Sequence, residues 1–183
     1  MKKSIRTLAL VVGALSSSSV LAGSYWGLGF SNYELESEFD GLELTTDIRG
    51  IEGAYGFESS PNIAWEFRLG LGLGDNDVKL STGNNSFSSG INYKASSYFS
   101  GYFRPQYVTE SFQFYGLLGY SSVSGELSGG GVSEDTSDDG ISYGVGAGFI
   151  FSDNNAFNLE WKNLAAIDDG DITGLSLTYQ RRF

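Results

Sequence analysis

The sequence predicts an all-β fold, specifically an eight-stranded antiparallel up-and-down transmembrane β-barrel. Three observations carry that expectation. Eight successive segments alternate at period two between large apolar residues and small or polar ones, the pattern of strands with two unlike faces. Glu52, Glu66, Arg68, Lys94, Glu160, Lys162 and Arg182 all fall on the face rich in Gly and Ser. The closing stretch, Gly174-Leu-Ser-Leu-Thr-Tyr-Gln-Arg-Arg-Phe183, puts Leu175, Leu177, Tyr179 and Phe183 on one side and Ser176, Thr178, Gln180 and Arg182 on the other.

The first 22 residues read as a leader rather than as part of the fold. Lys2, Lys3 and Arg6 precede an apolar run from Leu8 to Leu15, and Val20-Leu21-Ala22 has the small-residue character of a secretory cleavage site. The run is too short to cross a bilayer as a helix. A β-barrel domain is expected over 23–183. Without the leader's three cations the chain carries 8 Lys and Arg against 22 Asp and Glu, a net charge of −14. That balance argues against nucleic acid as a partner. Cysteine is absent, so no disulfide holds the exported chain together.

The segments follow in order. Strand one, Tyr25 to Tyr33, sets Trp26, Leu28 and Phe30 against Gly27, Gly29 and Ser31. A long acidic connection, Glu34 to Asp47, leads to strand two, Ile48 to Phe57, with Ile51, Tyr55 and Phe57 opposite Glu52, Ala54 and Gly56. After the turn residues Ser59-Ser-Pro-Asn62 comes strand three, the most regular. Ile63, Trp65, Phe67, Leu69, Leu71 and Leu73 share one face; Glu66, Arg68 and three glycines share the other. A second long loop spans Asp75 to Gly90. Strand four, Ile91 to Tyr107, is read with Tyr93, Phe99, Phe103 and Tyr107 outward, because the opposite register would expose Lys94 to lipid at ~2–4 kcal/mol.

Strand five, Phe112 to Val123, turns Phe114, Leu118 and Tyr120 outward; a Gly/Ser-rich acidic loop runs from Ser124 to Asp139. Strand six, Gly140 to Phe151, alternates Ile141, Tyr143, Val145, Ala147, Phe149 and Phe151 with Ser142 and glycines. Strand seven turns Phe157, Leu159 and Trp161 outward and Asn158, Glu160 and Lys162 inward. A fourth loop, Ala165 to Asp171, precedes strand eight. The even strand number puts both chain ends on one side, expected to be the periplasm, with the long loops outside the cell.

Charge placement decides which face is buried. A soluble lipocalin-like barrel, the rival architecture, hides its apolar face and would leave a glycine-rich exterior that packs nothing. An eight-stranded barrel has room inside only for side chains. Glycine, serine and a few ions suit that space; Trp65, Phe67 and the neighbouring leucines overfill it. Glu52, Glu66 and Glu160 are therefore expected to pair with Arg68, Lys94, Lys162 and Arg182 in a lumenal ionic network, since buried charges persist only when paired. Either the network plugs the barrel or it lines a path for ions or small solutes. The aromatics at strand ends are expected to form an interfacial girdle.

Catalysis finds little support. With no His or Cys, the chain lacks a Ser–His pair, a zinc site and a haem site. Catalytic, cofactor and metal sites are accordingly assigned as none. The acidic loops, including Asp168-Asp-Gly-Asp171, lack the twelve-residue calcium-loop pattern and read as a solvated anionic surface.

On these residues the chain resembles the OmpA/OmpX-type family of small outer-membrane β-barrel proteins, over 23–183. The resemblance implies residence in a Gram-negative outer membrane as a monomer, surrounded by outer-membrane lipid and lipopolysaccharide. It also implies that Leu175, Leu177, Tyr179 and Phe183 form the signal read by the membrane-insertion machinery. Members of that family serve as structural proteins, adhesins or small pores. The resemblance therefore implies a structural or surface-interaction role, with a porin-like channel as the alternative.

Overall fold

The computed structural model describes residues 23–39, 42–73, 76–82, 85–129, 132–167 and 170–183, with the backbone alone near the hairpin tips. The leader expected over 1–22 lies outside them. Nine strand segments follow in order: β1 (Gly23–Phe39), β2 (Leu42–Ser60), β3 (Ile63–Gly72), β4 (Asn76–Thr82), β5 (Asn85–Val108), β6 (Phe112–Gly129), β7 (Val132–Ser152), β8 (Asn155–Ile167) and β9 (Gly170–Arg182). Every pairing is antiparallel, and β1 pairs with both β2 and β9, which closes the sheet. Both β3 and β4 lie between β2 and β5, so the two segments share one column and the barrel has eight. The predicted fold class is the observed one.

Alternation fixes which side of each strand is inside. Along β3 the exposed Trp65, Leu69 and Leu71 interleave with the buried Ala64, Glu66, Arg68 and Gly70. Leu28, Phe30, Leu118, Val145, Leu159 and Leu177 are likewise exposed, so an apolar band encircles the barrel. At the end carrying the short turns the band finishes in aromatic pairs: Trp26 with Tyr179 at 5.5 Å, Trp65 with Phe103 at 5.4 Å and Phe151 with Phe157 at 5.2 Å. Chain closure occurs at this end, where the Phe183 N–H donates to the Ser24 carbonyl at 2.9 Å.

In the polar stretches expected as long loops, the described residues are instead strand. β1 and β2 stay in register as far as Phe39 opposite Leu42, and β6 and β7 as far as Gly129 opposite Val132. β4 lies within the second expected loop, and β8 and β9 reach Ile167 and Gly170. The cause is that an antiparallel ladder is held by backbone hydrogen bonds, which need no apolar face once the strands leave the hydrocarbon. β5 has 24 residues and β7 has 21, about twice the ~9–11 a tilted strand needs to cross a bilayer. The hairpins therefore project from one end as continuations of the barrel wall.

Two register shifts matter for the interior. One, between Asn163 and Ala165 on β8, leaves Asn163, Leu164 and Ala165 all buried in succession. The other, between Ala95 and Ser97 on β5, interrupts the alternation used to place Lys94. A bulge of this kind adds one residue to one strand and re-aims the neighbouring side chains.

Candidate functional site in the barrel interior

The interior is filled by side chains in three layers. At its centre Arg68 projects from β3 toward carboxylates on three different strands. Its Nε donates to Glu66 Oε1 at 2.5 Å, Nη1 to Glu52 Oε1 at 3.0 Å, and Nη1 and Nη2 to the two Glu160 oxygens at 2.5 and 2.7 Å. Lys162 Nζ donates to both Glu52 oxygens, at 3.0 and 2.9 Å, and lies 3.3 Å from Glu160. Arg104 Nη1 donates to Glu66 Oε2 at 2.6 Å. Glu52, Glu66, Glu160, Arg68, Arg104 and Lys162 are each at most 2% exposed. Three acids meet three bases, so the buried group is neutral, as a low-dielectric interior requires.

Tyrosines complete the coordination. Tyr25 donates to Glu66 Oε2 at 2.6 Å, Tyr33 to Glu52 Oε2 at 3.3 Å, Tyr98 to Glu52 and Tyr115 to Glu160. Ser176 adds a 3.0 Å bond to Glu160. The Arg104 guanidinium also stacks on the Tyr115 ring, 3.6 Å from its centroid. Glycine makes room for these rings. Tyr98 lies against its cross-strand partner Gly70, Tyr115 against Gly146 and Tyr25 against Gly56, and a Cβ at any of the three would overlap the ring. The glycine-rich face is thus the seat of the tyrosine rings.

Toward the short-turn end lies a layer of amides. Gln113 Nε2 donates to Asn158 Oδ1, Asn158 Nδ2 to Gln180 Oε1 at 3.1 Å, and Arg182 Nη2 to Gln113 Oε1 at 2.8 Å. Arg182 Nε also reaches Glu58 Oε1 at 3.1 Å, with both side chains partly exposed. Toward the hairpin end the lumen turns apolar: Tyr33, Ile48, Tyr98, Val123, Leu164, Ala165 and Ile172 pack together. The cavity beside that cluster, lined in part by Ser31, Tyr98 and Leu164, holds ≈ 10 Å³, about enough for one water.

Of the seven residues expected in the network, Glu52, Glu66, Arg68, Glu160 and Lys162 meet at the centre, while Arg182 sits apart with Glu58. The side chain of Lys94 lies outside the described residues. Arg104, Glu58 and the buried tyrosines join the interior beyond the residues expected there. Arg104 shares the parity of Tyr98 and Tyr102 on β5, so its inward placement was available from the alternation. The apolar layer was not, because the β8 bulge that brings Leu164 and Ala165 inside has no signature in the residue pattern. Leu175, Leu177 and Phe183 are exposed on the apolar band and Tyr179 is half-buried against Trp26.

A closed antiparallel barrel with an apolar exterior, an aromatic rim and a charged, filled interior is an outer-membrane β-barrel protein. The chain belongs to the outer membrane protein beta-barrel domain family, whose model matches residues 7–183. Solved structures agree in fold. Ail, the attachment invasion locus protein of Yersinia pestis, solved in complex with the heparin analogue sucrose octasulfate, is 21% identical, with a TM-score of 0.61 over 88% of this chain and 99% of that one. Neisserial surface protein A is 10% identical, with a TM-score of 0.63 over 87% and 97%. The N-terminal β-barrel domain of Pseudomonas aeruginosa OprF is 12% identical, with a TM-score of 0.59 over 88% and 99%. No curated protein matches the sequence.

Proposed function

We propose that this protein is a non-conducting outer-membrane barrel with a structural or cell-surface interaction role. Its hairpins face the medium, its termini face the periplasm and it acts as a monomer. The observation that supports this reading is the filled interior. A permeating ion would have to displace the Arg68 contacts with three carboxylates and then cross the packed Ile48, Val123, Leu164 and Ile172 layer. The strands that run on past the membrane, paired in continuous antiparallel ladders, supply the interaction surface. Leu175, Leu177, Tyr179 and Phe183 serve as the insertion signal, and no catalysis is assigned. The likeness to Ail, an attachment protein by name, is in keeping with a role at the surface.

The charged lumen motivates the alternative, a small channel. Planar-bilayer recording on refolded protein separates the two. The expected result is a silent membrane with wild type. Discrete steps whose size changes in Arg68→Gln would overturn the plug and favour the channel.

A further inference from the structure

Six of the mature chain's eight cations are Arg68, Arg104, Lys162, Arg182, Arg49 and Arg181. The first three are buried in the lumen, and Arg182 is bound to Glu58. Among the described side chains, that leaves Arg49 and Arg181 as the outward cations, and they stand at opposite ends of the barrel. Arg181 lies opposite Trp26, in the aromatic rim at the short-turn end. Arg49 lies toward the hairpins, on a rung formed by Leu175, Asn32, Arg49 and Leu73: Asn32 faces Leu175 and Arg49, and the Leu73 N–H donates to the Arg49 carbonyl at 2.7 Å.

This rung is a boundary. The next outward pair toward the hairpin tip is Glu34 opposite Asp47, both exposed and neither in a salt bridge with Arg49 among the described residues. Below it the exterior is apolar, with Phe30 70%, Leu159 56% and Leu177 55% exposed. Acids on one side and bare hydrocarbon on the other put Arg49 at the depth of lipid headgroups, where an arginine stem lies along apolar surface and its guanidinium stays at the polar layer. An open groove of ≈ 480 Å³ begins at Arg49 and Asn32 and continues over Phe30, Leu159, Leu175 and Leu177. It is polar at one end and apolar along the rest, the shape of an amphiphile.

We infer that this groove binds one phosphorylated lipid, with a headgroup phosphate on the Arg49 guanidinium and the Asn32 amide and an acyl chain along Phe30, Leu159 and Leu177. A guanidinium fork matches phosphate geometry, and in so acidic a chain an outward arginine at this depth is a specific counterion for it. The surrounding leaflet names the lipid. With the hairpins facing the medium, it is the glycolipid leaflet, so the occupant is lipid A, the phosphorylated and acylated base of lipopolysaccharide; that identification rests on the orientation proposed above.

Native mass spectrometry of the detergent-solubilised full chain, titrated with lipid A or with phosphatidylglycerol, tests the site. Wild type is expected to retain one lipid A in preference to phosphatidylglycerol. Arg49→Gln is expected to weaken retention ~10-fold, the loss of a charge-assisted hydrogen bond. Leu159→Trp, which fills the groove and leaves Arg49 in place, should weaken it too, while Arg181→Gln should bind like wild type. No retention by wild type, equal retention of the two lipids, or undiminished binding by Arg49→Gln would overturn the site. Orientation is read separately, by proteolysis of the hairpins on intact cells. Protection there would overturn the sidedness and the choice of lipid A, whereas binding in detergent reports on the groove alone.

Discussion

Arg68→Met is expected to destabilise the barrel by ~3–5 kcal/mol, the cost of removing one partner from a buried ion network. The guanidinium touches Glu52, Glu66 and Glu160 at once. Without it, three carboxylates face only Lys162 and Arg104, and one negative charge stays buried without a counterpart. Methionine fills much of the same volume, so the loss reports the charge more than a cavity. Urea unfolding of the variant in lipid vesicles measures the effect. Adding Glu160→Gln restores neutrality and should recover ~0.5–3 kcal/mol, the usual coupling between residues in one network. An unchanged midpoint in Arg68→Met would mean that the central contacts carry no stability.

The second large effect lies on the opposite face. Val145→Arg is expected to cost ~2–4 kcal/mol, the penalty for a cation near the bilayer midplane. Val145 is 60% exposed, and its cross-strand neighbours are Gly116 and the outward Trp161. Tyr107→Arg, beside the Thr109 turn and 64% exposed, should cost only ~0–1 kcal/mol, because that position lies near the interface. The same vesicle unfolding assay compares them. Equal costs at the two sites would contradict a depth-dependent lipid environment around the exposed face.

How much of the barrel is legible in the sequence depends on how local each feature is. Period-two alternation is local, so the eight columns and the inward placement of Glu52, Glu66, Arg68, Glu160 and Lys162 could be read residue by residue. Where alternation is broken by a bulge, as at Ala95/Ser97 and Asn163/Ala165, parity counting loses its phase. Lys94 stands just beyond the first of these bulges, and Leu164 lies within the second. The tyrosine–glycine pairs were hidden for another reason. Gly70 with Tyr98 and Gly146 with Tyr115 are contacts across strands, and they become visible only once the register is known. The acidic stretches have the composition of loops because composition reports solvation, whereas the ladder that makes them strand is carried by the backbone.

The central claim is that the bulky apolar side chains look into lipid and the ion network around Arg68 occupies the interior, and the chain carries its own probe of it. Its three tryptophans, Trp26, Trp65 and Trp161, are 40%, 45% and 42% exposed on the outer face, on β1, β3 and β8. Tryptophan fluorescence in vesicles made with lipids brominated along their acyl chains measures their contact with hydrocarbon. Strong quenching relative to unbrominated vesicles is the expected result. Emission that bromine leaves unquenched would place those rings inside the cylinder and contradict the claim.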